Sequence, residues 1–162
     1  MDELDKGLSI SLTGAARDAA LRRFEATIAA WGVAMPTVEP LVLDFGLGQF
    51  EKIGLIEFWI ANELAAGYCG KYLYLEAGQS CPRHRHRGKH ETFFIVKGRV
   101  RMEYDGEVRE MGPGDVLPVA LWHYHSFTGL TAALLLEVSQ PCEIEDNFFE
   151  DTRIPIGGNH DG

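Results

Sequence analysis

The sequence predicts a mainly β domain, a sandwich or barrel, with an α-helix in front of it. Three observations predict this. From Leu41 onward, short runs rich in β-branched and aromatic residues alternate with glycine punctuation. Asp105-Gly106 and Pro113-Gly114 mark tight turns between such runs. Before Leu41 the period is helical instead: Leu21, Phe24, Ile28 and Trp31 fall on one face.

The helix has Ser11 or Thr13 to cap its start, and Gly32 with Pro36 to end it. Met35 to Pro40 links it to the main body. The expected strands are 41–45, 55–61, 71–76, 92–96, 99–104, 107–110, 115–119, 125–127 and 132–139. Many short strands at this spacing suit a sandwich or barrel. In the stretch Gly54 to Glu63, Phe58 and Trp59 face opposite sides. Burying both requires a second layer, from the helix or from another subunit. After Ser139 the chain turns acidic and irregular. The division is 1–40 for a helical lead-in packed on the barrel, 41–156 for the barrel, and 157–162 for a flexible tail.

Composition narrows the function. A chain of 162 residues, 46% hydrophobic and 24% charged, supports one globular domain with a real core. A net charge of -9 disfavours nucleic acid and anionic membranes, and leaves a neutral or metal-bound small molecule as partner. No apolar run approaches the ~20 residues of a membrane span. The acidic N-terminus has no apolar signal core. Cys69, Cys81 and Cys142 form an odd set without a CxxC, which suits free thiols in a reducing cytoplasm.

The chemistry concentrates in GQSCPRHRHRGKHETFFIVKG, Gly78 to Gly98. On a strand, His84 and His86 share a face, and Arg83, Arg85, Arg87 and Lys89 take the other parity, outside the barrel. Glu91 follows after room for a tight turn. Imidazoles with one carboxylate suit a divalent first-row metal. A later strand should close the set, and WHYHSF offers His123 and His125.

The spacing of Gly78, His84, His86, Glu91 and Gly98 resembles the first motif of the cupin superfamily. Gly114-Asp115 resembles the start of the second motif, which places its histidine eleven residues after the glycine, at His125. Ala120 and Trp122 stand where that motif usually has proline and glycine. Further segments resemble the D-lyxose isomerases: LDFGLGQFEKIGL from Leu43, AGYCGKYLYLEAGQSCPRHRH from Ala66, GKHETF from Gly88, and LEVSQPCEIEDNFFEDTRI from Leu136. The stretch before His125 is shorter than in many members of that family.

The resemblance implies a single-domain cupin, a double-stranded β-helix (jelly-roll barrel) with an N-terminal helix. Its metal ligands would be His84, His86, Glu91 and His125, with His123 and His90 behind them. The metal would be Mn²⁺, with Fe²⁺, Co²⁺, Ni²⁺ or Zn²⁺ able to take the same site. The implied activity interconverts D-lyxose and D-xylulose, and D-mannose and D-fructose as a second pair. The route is proton transfer through an enediol or a hydride shift. Lys89, two residues before Glu91, is the first catalytic candidate, and a nearby cation is expected to lower its pKa. Glu137, a carboxylate ending an apolar strand, is the second. Lys71, His123, Asp151 and Arg153 are candidates for binding the monosaccharide. A homodimer is expected. Rival readings are a non-haem iron dioxygenase and a sugar-binding cupin without turnover.

Overall fold

The computed structural model describes residues 1–160, and two antiparallel sheets face each other across an apolar interior. Two helices lead in, α1 (Glu3–Leu8) and α2 (Gly14–Trp31). Eleven strands follow: β1 (Leu41–Leu43), β2 (Leu55–Glu63), β3 (Tyr68–Leu75), β4 (Ser80–Arg85), β5 (Glu91–Lys97), β6 (Val100–Tyr104), β7 (Glu107–Met111), β8 (Val116–Val119), β9 (His125–Gly129), β10 (Ala133–Ser139) and β11 (Phe148–Phe149). One sheet runs β1-β2-β3-β10-β5-β8 and the other β11-β4-β9-β6-β7. Consecutive strands thus often lie in opposite sheets, as in a jelly roll.

Alternation along the strands builds two cores. Leu73, Leu75, Phe93, Ile95, Leu135, Met102 and Phe127 point between the sheets and form the barrel floor. Val42, Ile56, Phe58, Tyr74 and Leu134 point out of the six-stranded sheet and are roofed by Ala20, Phe24 and Ile28 of α2. Phe24 sits 4.9 Å from the rings of both Phe58 and Tyr74. The second layer over Phe58 is therefore the helix. Trp59 turns into the barrel. Helix α2 starts after Thr13 and stops at Gly32, whose φ of 67° is left-handed.

Three elements differ from the sequence expectation. Helix α1, capped by the Asp2 carboxylate on Asp5 N–H, is too short for a periodicity signal. Strand β11 has two residues and exists only because it pairs with β4, Phe149 opposite His84. The expected flexible tail is ordered at its start: Gly158–His160 make a 3-10 turn, with Gly158 N–H donating to Asn147 O. Asp161 and Gly162, the end of that tail, lie outside the described residues.

Two motif glycines separate conformation from space. Gly78 has φ 82° and open surroundings, whereas a Cβ on Gly98 (φ 77°) would stand 2.0 Å from Ala132 O. Gly98→Ala is expected to cost about 2–4 kcal/mol, strain plus clash, and Gly78→Ala only about 1 kcal/mol of strain. Urea unfolding of the two variants measures the difference.

Candidate metal centre

Strand β4 carries His84 inward, and His86 follows just past its end on the same side. The turn at 87–90 reverses the chain into β5, whose first residue is Glu91. Strand β9 pairs with β4 and sets His125 opposite His84. All four side chains are buried, and their ligand atoms lie within 4.8 Å of one another.

The hydrogen bonds around the cluster leave the right atoms free. His84 Nδ1 is 2.7 Å from Pro82 O, His86 Nδ1 is 3.0 Å from Asp146 O, and His125 Nδ1 is 3.1 Å from His123 O. A carbonyl only accepts, so each Nδ1 carries the proton and each Nε2 presents its lone pair inward. His86 Nε2, His125 Nε2 and both Glu91 carboxylate oxygens are buried without a hydrogen-bond partner. His125 Nε2 stands 2.7 Å and His86 Nε2 3.4 Å from Glu91 Oε1, close but not in hydrogen-bonding geometry. Buried polar atoms are rarely left this way. Two imidazole nitrogens and a carboxylate without hydrogen-bond partners, with His84 in the same cluster, fit a divalent cation.

Electrostatics agree with that fit. Burial lowers the His84 pKa well below the ordinary range, and His125 and His86 beside it add to the effect. Burial and the Lys89 ammonium lower His86. Burial opposes ionisation of Glu91, yet Lys89, His86 and His125 outweigh it and hold the carboxyl well below its usual value. These shifts favour the neutral imidazole for His84 and His86 and the anion for Glu91, the ligating forms.

Lys89 is buried beside this centre. Its Nζ is 3.0 Å from Glu91 Oε2 and 3.1 Å from Glu137 Oε2. Ser139 Oγ donates to the same Glu137 oxygen at 2.9 Å. The expected lowering of the Lys89 pKa is corrected here. Burial does push it down, but Glu137 and Glu91 outweigh burial and raise it well above the ordinary value. Glu137 reaches this place because β10 lies between β3 and β5, with Lys71 and Phe93 as its neighbours in register.

The other predicted site residues divide. Lys71 points inward, 3.2 Å from both Glu57 Oε1 and Cys142 Sγ, with Nζ 4.3 Å from the centre of the Trp59 ring. Cys142 and Glu57 outweigh burial and keep its pKa raised. His123 turns outward to Asp105, 3.2 Å away, and touches the site only through the carbonyl that holds His125. Asp151 and Arg153 pair with each other at 2.7 Å and line neither cavity of the barrel interior. His90 is exposed and its N–H donates to Gln140 Oε1.

The arginines take the outer face as expected, but Lys89, expected there with them, turns inward, because β4 ends at Arg85 and the strand alternation does not run on through the turn. Arg85 stacks 3.8 Å over Trp122, and Arg83 lies 4.2 Å from the Tyr124 ring. Trp122 holds the left-handed φ, 67°, at the position where the second cupin motif usually has glycine. The sequence reading missed Glu57, Phe45, Asn147 and Phe149. Glu57 was detectable as a charge between Leu55 and Trp59 on the inward parity of β2.

Residues 71–139 match the cupin domain model. A D-lyxose/D-mannose isomerase of Thermosediminibacter oceani is 32% identical over 141 residues, covering 70% of this chain and 77% of that protein. The chain belongs to the D-lyxose isomerase family of cupins. A D-lyxose ketol-isomerase of Thermofilum sp. is 37% identical over 107 residues, 61% of this chain and 57% of that one. A 5-nitrosalicylic acid 1,2-dioxygenase of Bradyrhizobium sp. is 31% identical over 84 residues, covering 52% of this chain and 36% of its own length. The solved L-ribose isomerase of Acinetobacter sp. DL28 superposes with a TM-score of 0.74 at 17% identity, over 90% of this chain and 95% of that one. Its low identity speaks for the fold. Among the described residues of this family member, no helix is long and apolar enough to cross a membrane. The three cysteines are free and buried.

The lowered His84 and His86 pKa values have a sign in stability. Below about pH 6.5 the unfolded chain takes up protons on these rings and the folded chain resists. Chelator-treated protein is therefore expected to lose stability as pH falls from 7.5 to 5.5, by up to ~1.4 kcal/mol per pH unit for each ring. Melting curves across that range check it, and the fall should be smaller in His84→Ala.

Proposed function

We propose that the protein is a metal-dependent aldose–ketose isomerase. It interconverts D-lyxose and D-xylulose, with D-mannose and D-fructose as a second pair, in the cytoplasm. The observation that carries this reading is the buried Lys89–Glu137 pair, 3.1 Å apart, set beside the His84, His86, Glu91 and His125 cluster. The names of the Thermosediminibacter and Thermofilum relatives support it. Both Lys89 and Glu137 border the cavity that His84 also lines, so both face the space a substrate would fill.

A divalent cation held by His84, His86, Glu91 and His125, with Mn²⁺ the best match to three imidazoles, a carboxylate and sugar oxygens, would polarise the adjacent carbonyl and hydroxyl of an open-chain sugar. The protein supplies the proton chemistry. Glu137 takes the proton from C2 and returns it to C1, and Ser139 steadies its carboxylate. Lys89, flanked by two carboxylates, rests as an ammonium; it gives a proton to O1 as that oxygen gains negative character and recovers one from the O2 hydroxyl. The enediol route follows from that pairing of base and donor. Lys71, inward and partnered by Glu57, binds hydroxyls of the sugar tail. Phe93 and Phe127 close the floor below and keep water out.

With Mn²⁺ restored to metal-stripped protein, D-lyxose is expected to give D-xylulose. His84→Ala should lose bound metal and turnover together. Lys89→Ala and Glu137→Gln should keep the metal and lower kcat by ~10²–10⁴. A second reading follows from the Bradyrhizobium relative: an iron dioxygenase. Absent isomerisation with Mn²⁺, together with O₂ consumption under Fe²⁺ and a hydroxybenzoate, would establish it instead. Sugar binding without either reaction would mark a non-catalytic cupin.

We also place a homodimer on the uncovered part of the six-stranded sheet. Beside α2, register aligns Tyr72, Leu136, Phe94 and Val116 across four strands of the outer face. Phe94 is 38% exposed, Val138 53% and Val116 55%, an apolar patch of the kind that marks association. Light scattering should give twice the 18.0 kDa chain mass, falling to the single value in Phe94→Glu.

A further inference from the structure

The barrel interior holds two cavities rather than one. The first, about 40 Å³, is bordered by His84, Lys89 and Glu137. The second, also about 40 Å³, lies toward the N-terminal segment and is bordered by Trp59, Cys142, Ile144 and Ile10. Five residues border both: Phe45, Glu57, Lys71, Asn147 and Phe149. They are the partition.

The partition has an aromatic side and a charged side. Phe45 and Phe149 meet edge to face with ring centres 5.8 Å apart, and the Phe149 ring is 5.7 Å from that of His84. Phe45 has φ 57°, a left-handed conformation that a bulky side chain rarely adopts. Such strain persists only where the surroundings impose it. Here they do: the Asp44 carboxylate accepts from Gly46 and Gly48 N–H at 3.0 and 3.3 Å, and Asp44 N–H donates to Ile10 O. The loop thereby drives the Phe45 ring into the interior, where it is 4% exposed. Opposite it, Glu57 Oε1 accepts from Trp59 Nε1 at 2.9 Å and from Lys71 Nζ at 3.2 Å.

The shared lining sets the two cavities side by side. An extended chain of five carbons and five oxygens that enters one is led past these five residues toward the other. We infer that the two cavities are one channel for an open-chain polyhydroxy substrate, and that the neck of Phe45 and Phe149 against Glu57 and Lys71 sets how long a carbon chain it accepts. This rests on the isomerase reading for the substrate class and for which end reacts. The reacting carbons lie on the Lys89–Glu137 side. The tail crosses the neck, with its C–H edges against the two rings and its hydroxyls donating to Glu57 and accepting from Lys71. A longer tail must push the rings apart, and the clamped Phe45 loop resists.

The test compares wild type with Phe149→Leu and Phe45→Leu, each first shown to retain wild-type metal content. The measurement is the ratio of kcat/KM for D-mannose to that for D-lyxose. Widening the neck is expected to raise the six-carbon to five-carbon ratio about tenfold or more. Glu57→Gln is expected to raise KM for D-lyxose while kcat changes little. An unchanged ratio in both phenylalanine variants would overturn the inference. If the wild type turns over neither sugar, the isomerase reading fails separately, and the neck is then read by calorimetry with xylitol and sorbitol on the metal-loaded protein. A shift of preference toward sorbitol in the variants sustains the neck. Equal preference, or no binding of either polyol to any of the three proteins, ends it.

Discussion

The Glu91 carboxylate is 1% exposed, and most of the interior can be understood from what it takes to keep it there. A lone buried carboxylate is costly enough that it would rather take up a proton. Here the Lys89 ammonium stands 3.0 Å from one oxygen, and two imidazole nitrogens crowd the other. Those two imidazoles, and that of His84 beside them, are held with their lone pairs inward by three backbone carbonyls. Each group is tolerable only in the presence of the others, and the whole set has one shared satisfaction, a cation at its centre.

That constraint divides the barrel into levels. Below the cluster, Phe93, Phe127, Met102 and Ile95 form a floor without polar atoms in need of partners. Above it, the inward positions of β2, β3 and β10 turn charged at Glu57, Lys71 and Glu137. The strands alternate strictly enough that the same side of each carries apolar residues at depth and functional ones near the mouth. Helix α2 takes no part in the chemistry. It covers the outer face of β1, β2 and β3 and so frees their inner faces to carry charge.

Local signals were strong wherever a single strand decided the outcome. The i, i+2 pair His84 and His86, the outward arginines, the opposite facing of Phe58 and Trp59 and the helix boundary at Gly32 all follow from side-chain period and backbone freedom, and all appear in the structure. Lys71 was balanced between inside and outside, since alternation counts from a register that one strand cannot supply. The direction of the Lys89 pKa depended on Glu137, a residue 48 positions away that only the β10–β5 pairing brings near. Strand β11 and the 3-10 turn at Gly158–His160 are too short to carry a period at all.

The sequence by itself determined the family, the membership of the buried cluster of His84, His86, Glu91 and His125, and the two-sided character of the strands, because motif spacing and alternation are properties of consecutive residues. Only the tertiary structure decided which carboxylates flank Lys89, that Asp151 and Arg153 satisfy each other away from the interior, and that Phe45, Phe149, Glu57 and Lys71 border both interior cavities. Those facts depend on strands from both sheets and on a loop closing over them. Lys89 and Glu137 are 48 positions apart, and Phe45 and Phe149 stand near opposite ends of the barrel sequence, distances over which no local pattern carries information.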